Sequence, residues 1–133
     1  MRVFIDTSAF LALVDSKDQF HGRAKKLNQY HGMEHQWHTS NLVLYETYTL
    51  IRYRINHRTM MHFIDAFDQQ HIDVIGIDTE LEQLALDKLR KYSDQEFSFT
   101  DCASFAVMAS LKIQTVFGFD RDFERAGFTL LGS

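Results

Sequence analysis

Residues 3–14 read Val3-Phe4-Ile5-Asp6-Thr7-Ser8-Ala9-Phe10-Leu11-Ala12-Leu13-Val14, and this stretch decides the fold. Its first three residues are apolar without alternating polar positions, which predicts a strand that is covered on both faces. The apolar run 9–14 predicts the start of a buried helix. The polar turn 6–8 follows the carboxyl end of the strand, where ligands bind in open α/β sheets. Asp6 therefore has two interpretations: it is a catalytic acid, or the turn simply caps the helix.

The rest of the chain alternates predicted strands with predicted helices. Strands are predicted at 36–39, 72–77, 115–119 and 128–131, and helices at 19–30, 41–55, 59–70, 79–91 and 100–112, with a short helical turn after residue 120. Thr79 and Glu82 have the spacing of a capping box. The alternation predicts a mostly parallel sheet with helices on both faces, a three-layer α/β/α sandwich. No linker or repeat divides it, so we expect a single domain over residues 1–133.

Composition narrows the class of protein. A hydrophobic fraction of 45% supports a folded domain, and a net charge of −4 argues against nucleic-acid binding by bulk electrostatics alone. It does not exclude an acidic pocket that a metal neutralises. The single cysteine, Cys102, rules out an internal disulfide and fits a reducing cytoplasm. The apolar runs are too short to span a bilayer and no signal-peptide pattern is present, so we expect a cytoplasmic protein without a membrane partner.

Four acidic residues have positions that point to one shared cause. Asp6 and Asp120 each follow a predicted strand, so both face the same sheet edge if those strands are neighbours. Glu46 lies on a mostly apolar helix face, where an unpartnered carboxylate costs several kcal/mol or more, so it needs a cation, a salt bridge or a raised pKa. Asp101 opens an apolar helix, which the helix dipole alone would explain. A divalent cation such as Mg²⁺ or Mn²⁺ at the strand ends explains all four.

The arrangement resembles the PIN-domain family, and more closely its VapC-type toxin ribonucleases. The matching pieces are Val3-Phe4-Ile5-Asp6-Thr7-Ser8, Glu46, Ser98-Phe99-Thr100-Asp101 and Phe119-Asp120-Arg121-Asp122-Phe123. The resemblance implies a parallel sheet of four or five strands, Mg²⁺- or Mn²⁺-dependent endoribonuclease activity on RNA, a cognate antitoxin and a homodimer. It also implies metal ligation and catalysis by Asp6, Glu46, Asp101 and Asp120. One departure is Gly118, at a position where the family often carries another small or hydroxyl residue.

Further polar residues stand beside these four acids. Thr7 or Ser8, and Thr100, would orient an acid or a water molecule. Asp122 and Asp94 would extend the ligand set through water, unless they are ordinary surface acids of a loop.

Other residue groups have weaker patterns. His31, His35 and His38 have no cysteine partners and no compact ligand spacing, so they predict no zinc site. Arginines 52, 54 and 58 either contact RNA phosphates or lie at a solvated helix end. The aromatic and methionine side chains at positions 45, 48, 53, 60, 61, 63 and 67 form a groove for an antitoxin helix, a dimer face or ordinary core.

Three alternatives to a toxin nuclease remain open at this stage. One is a PIN-domain RNA-processing nuclease outside any toxin–antitoxin pair. Another is a Mg²⁺-dependent phosphatase with Asp6 as nucleophile, although Ser8 stands where such a site needs a second acid. The third is a binding module or receiver-like domain, although no lysine follows a late strand as a receiver site requires.

Overall fold

A computed structural model describes residues 1–132 of the chain. The strands are β1 (Arg2–Ile5), β2 (Gln36–Ser40), β3 (Ile72–Ile75), β4 (Thr115–Phe117) and β5 (Thr129–Leu130). The helices are α1 (Thr7–Val14), α2 (His21–His31), α3 (Asn41–Arg54), α4 (His57–Phe67), α5 (Thr79–Lys91), α6 (Phe99–Leu111) and α7 (Asp122–Arg125). No helix within the described residues is long and apolar enough to cross a bilayer.

The five strands form one sheet in the order β3-β2-β1-β4-β5, and every neighbouring pair is parallel. The predicted three-layer α/β/α sandwich is therefore confirmed, with five strands and a fully parallel sheet. β1 lies at its centre, where Val3 and Phe4 are completely buried. Their burial explains why the strand is apolar from Val3 to Ile5, because helices cover both faces of a central parallel strand.

The order of the strands reverses between β1 and β4. The chain first builds β2 and β3 on one side of β1, and then returns to place β4 and β5 on the other side. Ile5 pairs with Phe117 at the ends of the two strands, and the amide of Asp6 donates to the carbonyl of Phe117 at 3.0 Å. Such a reversal opens a crevice beyond the carboxyl ends of the strands. The turn 6–8 and the residues after β4 face this crevice together.

The helix caps differ in one place from the sequence prediction. Helix α5 is capped by Asp78, whose Oδ1 accepts from the amide of Leu81 at 2.9 Å, so the predicted capping box of Thr79 and Glu82 is wrong. Asp78 takes the cap because its backbone is extended, whereas Thr79 is already helical. A complete capping box does occur at the start of α6, between Ser98 and Asp101.

Candidate active site

Asp6 is the most deeply placed acid at the crevice, with only 5% of its surface exposed. It is the N-cap of α1, and its Oδ2 accepts from the amide of Ser8 at 3.2 Å and from the Ser8 hydroxyl at 2.7 Å. The same hydroxyl oxygen accepts from the amide of Phe119 at 2.9 Å. The two interpretations of Asp6 are thus compatible: the side chain caps the helix and faces the crevice.

Gly118 lies directly against this arrangement. A Cβ atom at that position would lie 3.1 Å from Cβ of Asp6 and 3.1 Å from Oγ of Ser8. Both distances are shorter than ordinary van der Waals contact, so a side chain there would displace its neighbours. Because Gly118 has no side chain, the backbone directly after β4 approaches the turn that holds Asp6 closely.

Three further carboxylates meet beside Asp6. Asp101, Asp120 and Asp122 each offer an oxygen such that all three oxygens lie within 4.8 Å of one another. Asp120 follows β4 as predicted, and its Oδ1 accepts from the amide of Asp122 at 2.9 Å. Oδ2 of Asp101 accepts from the amide of Ser98 at 3.1 Å in the capping box. Hard oxygen ligands at this spacing suit Mg²⁺ or Mn²⁺, so the residues present fit a divalent cation.

Burial and neighbouring negative charges both raise the pKa of acids at this site. Burial raises the pKa of Asp6 from 3.8 to about 7; the hydrogen bonds from Ser8 oppose this rise, while the charges of Asp101 and Asp120 add to it. Burial likewise raises the pKa of Asp101 to about 6; its hydrogen bonds with Ser98 oppose this rise, and the charges of Asp120 and Asp122 add to it. A cation among these carboxylates would favour their ionised forms and lower both pKa values.

Within residues 1–132, cationic side chains do little to neutralise this charge. Among Asp6, Asp101, Asp120 and Asp122, only Asp122 has an ion pair, with Nη1 of Arg125 at 2.5 Å. No lysine, arginine or histidine pairs with Asp6, Asp101 or Asp120 in the described part of the chain. The site is therefore an acidic pocket that lacks a protein cation at its centre.

Glu46 is half-buried on α3, a helix that packs against α1 and α6. It forms no ion pair with any described residue, so the salt-bridge explanation of this acid is not observed. It does not belong to the compact group of three carboxylates, and neither does Asp6. The structure thus gathers Asp101 and Asp120 tightly, places Asp6 within electrostatic reach of both, and leaves Glu46 on a neighbouring helix.

The remaining predicted residues have different environments. Thr7 is buried, and its hydroxyl has no hydrogen-bond partner within the described chain. Thr100 is half-buried in the first turn of α6, and Asp94 is exposed in the loop before that helix. Asp94 therefore has the environment of a surface acid, in contrast to Asp122, which lies in the carboxylate group.

Sequence reasoning missed Ser98, which holds Asp101, and Arg125, which pairs with Asp122. The spacing Ser98-x-x-Asp101 is a capping-box signal, so the first of these was detectable. Arg125 was not, because its role depends on the short helix α7. Sequence reasoning also missed the hydrogen bond between the hydroxyl of Ser8 and the amide of Phe119, in the segment after β4.

Comparison with known proteins places this geometry in context. The model of the PIN domain family matches residues 3–129. The 23S rRNA-specific endonuclease VapC20 of Mycobacterium tuberculosis is 37% identical over 126 residues, which is 95% of both chains. A crystal structure of that VapC20, described as a Sarcin-Ricin loop cleaving toxin, matches with a TM-score of 0.88 over 96% of each chain. VapBC2 from Rickettsia felis, bound to a DNA fragment from its promoter, shares the fold with a TM-score of 0.74 at 11% identity, over 98% of this chain and 97% of the other.

Proposed function

Because this chain belongs to the PIN-domain family, we propose that it is a metal-dependent endoribonuclease and the toxin of a toxin–antitoxin pair. The observation that carries the proposal is the meeting of Asp101, Asp120 and Asp122 beside the buried Asp6 at the strand-order reversal. The 37% identity to an endonuclease over 95% of both chains supports the same activity. A phosphatase or receiver-like function has no comparable support. A phosphatase site needs a second acid at position 8, whereas Ser8 stands there and donates a hydrogen bond to Asp6.

The metal in this proposal is Mg²⁺ or Mn²⁺, with Asp6, Glu46, Asp101 and Asp120 as its ligands. Asp122 joins this set directly or through water, since its carboxylate lies with Asp101 and Asp120. A bound divalent metal supplies an activated water molecule and stabilises charge that develops on the phosphodiester.

The chain's own residues orient the carboxylates. Both hydrogen bonds from Ser8 go to Oδ2 of Asp6, which leaves Oδ1 available for a ligand. Ser98 fixes Oδ2 of Asp101, and the amide of Asp122 fixes Oδ1 of Asp120. Asp6, Asp101 and Asp120 therefore each present one restrained and one available oxygen, which reduces the reorganisation required when the metal binds.

The substrate class that we propose is ribosomal RNA, because the relative from M. tuberculosis is a 23S rRNA-specific endonuclease. We infer that a cavity of about 110 Å³ beside Gly118 receives part of a nucleotide, such as a phosphate group, near the cleaved bond. Its lining includes Arg23 and Arg121 and the rings of Phe20 and Phe119, which stack with centroids 4.6 Å apart. The two arginine side chains suit the phosphates of RNA, which need a cation.

An antitoxin and a second copy of the chain are the proposed protein partners. Tyr48, Phe63 and Phe67 are packed against the core, so ordinary packing accounts for these members of the predicted groove. Tyr45 and Tyr53 are exposed instead, by 56% and 82%. We infer that these exposed aromatic side chains contribute to the surface that a partner covers.

RNA cleavage by purified protein tests the activity. We expect cleavage of 23S rRNA fragments with Mg²⁺ or Mn²⁺, loss of cleavage with a chelator, and loss in Asp120→Asn at unchanged helix content. Asp94→Asn is the matched control, because that acid is exposed and outside the carboxylate group. Full cleavage by a clean Asp120→Asn preparation would refute the assignment.

The toxin role requires a separate test, since a nuclease of this family outside a toxin–antitoxin pair would pass the first one. We expect induced expression to arrest growth, and co-expression of a small neighbouring gene to restore it. Growth that is unaffected by an active enzyme would favour RNA processing.

A further inference from the structure

A second group of metal-ligating side chains lies at the opposite end of the strands from the carboxylates. His31 is the last residue of α2, and Glu34 and His35 follow in the loop that leads to β2. We call these three residues the histidine cluster. The amide of Gln36 donates to the carbonyl of Met1 at 3.0 Å, so the cluster borders the start of the sheet.

The ligand atoms of the histidine cluster lie close together. Nδ1 of His31 is 3.0 Å from Nε2 of His35, and it is 3.9 Å from Oε2 of Glu34. All three ligand atoms lie within 4.8 Å of one another. Both histidines are half-buried, whereas the side chain of Glu34 is 63% exposed and free to move closer.

We propose that the histidine cluster binds Zn²⁺ or a similar borderline divalent metal, through His31 Nδ1, His35 Nε2 and Glu34 Oε2. Two Zn–N bonds at a tetrahedral angle place their nitrogens about 3.3 Å apart, close to the observed separation. Two imidazoles and one carboxylate form a set that suits zinc, with a fourth position left for water. The hard carboxylates of the active site prefer Mg²⁺ or Mn²⁺ instead, so the two sites select different ions.

The surroundings of the histidine cluster hold the imidazole rings in place. The amino nitrogen of Met1 lies 3.4 Å from Nδ1 of His35, which leaves Nε2 directed at His31. The ring of Tyr30 meets His31 edge-on, with centroids 4.9 Å apart. The ring of Trp37 lies 5.8 Å from that of His35, and its Nε1 donates to the carbonyl of Gly32 at 3.1 Å.

A metal here would join the end of α2 to the beginning of β2. The competing explanation is a simple hydrogen bond, in which one imidazole N–H donates to the other ring. The sequence predicted no zinc site at these histidines because they have no cysteine partners and no compact ligand spacing; in the structure, Glu34 lies beside both rings as a third ligand. The proposed zinc site therefore reverses that expectation for His31 and His35, but not for His38.

Zinc uptake by the full-length, tag-free protein tests the proposal. Excess Mg²⁺ keeps the carboxylates occupied, and a chromogenic chelator measures the Zn²⁺ that each variant retains. We expect one Zn²⁺ per chain in the wild type and in the exposed control His71→Gln. We expect none in His35→Gln and an affinity at least about tenfold weaker in Glu34→Gln. Glu34 is exposed, so its variant tests the site without disturbing the core.

Trp37 provides an independent readout, because it is the only tryptophan in the chain. Cu²⁺ bound to the cluster should quench its fluorescence in the wild type and not in His35→Gln. Far-ultraviolet circular dichroism should be the same for both metal-free proteins. Failure of the wild type to retain Zn²⁺, retention by His35→Gln, or loss of uptake in Asp120→Asn would each overturn the proposal, the last by showing that Zn²⁺ occupies the active site.

Discussion

The hydroxyl of Ser8 donates to Oδ2 of Asp6 at 2.7 Å, which is one half of a link between the end of β1 and the segment that follows β4. The link is completed because the same oxygen accepts from the amide of Phe119 at 2.9 Å. Ser8 thereby fixes the most buried acid and the backbone that leads to Asp120. Asp6 and Asp120 are 114 positions apart in the sequence, and this hydroxyl adds to the pairing of β1 with β4 in holding their segments together.

Removing that hydroxyl should weaken catalysis more than folding. Ser8→Ala removes one of the two hydrogen bonds to Oδ2 of Asp6 and leaves the amide of Phe119 without its acceptor. We expect RNA cleavage to fall about 10- to 100-fold, as for other residues that orient metal ligands. Stability should fall by about 1–2 kcal/mol, measured by urea unfolding. Ser16→Ala is the control, since Ser16 is exposed. Equal activity of both variants would contradict a positioning role for Ser8.

Gly118→Ala tests the close approach of β4 to Asp6. The added Cβ would meet Asp6 and Ser8 at 3.1 Å, so these residues must shift. We expect a loss of about 1–3 kcal/mol of stability together with reduced cleavage. Gly22→Ala in α2 is a matched control, because a Cβ there meets nothing within 4 Å and alanine favours helix. A Gly118→Ala enzyme with wild-type kinetics would show that the approach is not required.

The sequence predicted the sheet and the edge at which the acids lie because those features follow from local patterns. Apolar runs marked β1 and β4, and the parallel topology placed Asp6 and Asp120 at the same edge without any knowledge of contacts. The strand order, with β4 beside β1, was not predictable from these patterns, and neither was the approach of Gly118. Both depend on packing between segments that are distant in the chain.

The carboxylate group shows a further limit of sequence patterns. Asp101 has a complete structural explanation as a capping residue, and it also lies beside Asp120. The histidine cluster was missed for a different reason: sequence reasoning looked for cysteine partners, although positions 31, 34 and 35 have a spacing that brings side chains together on one helix face. A local motif therefore identifies which residues are polar and ordered, whereas the assembled fold determines which of them share a ligand.

Glu46→Gln addresses the acid that lies outside the compact group. If Glu46 completes the metal site, the variant should lose cleavage and bind Mn²⁺ more weakly by isothermal titration, with little change in stability. The exposed Glu82→Gln on α5 is the control. Wild-type cleavage by Glu46→Gln would remove this residue from the proposed ligand set without affecting Asp101 and Asp120.

Arg121→Gln tests the proposed RNA contact beside the cavity. Arg121 is exposed and pairs only with Glu124 among the described residues, at 2.7 Å, so the fold should tolerate its loss. We expect weaker RNA binding and a higher KM at nearly unchanged kcat, because a phosphate contact contributes uniform binding. Arg54→Gln, in the last turn of α3, is the comparison for a solvated arginine. Equal KM values for the two variants would argue against the cavity as an RNA subsite.

The pH dependence of folding follows from the raised pKa of Asp6. Between about pH 4 and pH 7 the folded protein retains a proton that the unfolded chain has released, so metal-free stability should fall as the pH rises through this window. The full effect is on the order of 4 kcal/mol at most, and Asp101 adds to it below about pH 6.

Urea unfolding with a chelator should show this slope, and Asp6→Asn should flatten it, because asparagine carries no proton to lose. Adding Mg²⁺ or Mn²⁺ should restore stability above pH 7 in the wild type, since a cation stabilises the ionised carboxylates. An identical pH profile for wild type and Asp6→Asn would contradict this prediction, because it would mean that Asp6 ionises in the folded protein as easily as in the unfolded chain. A metal would then not be needed to stabilise the ionised form of Asp6.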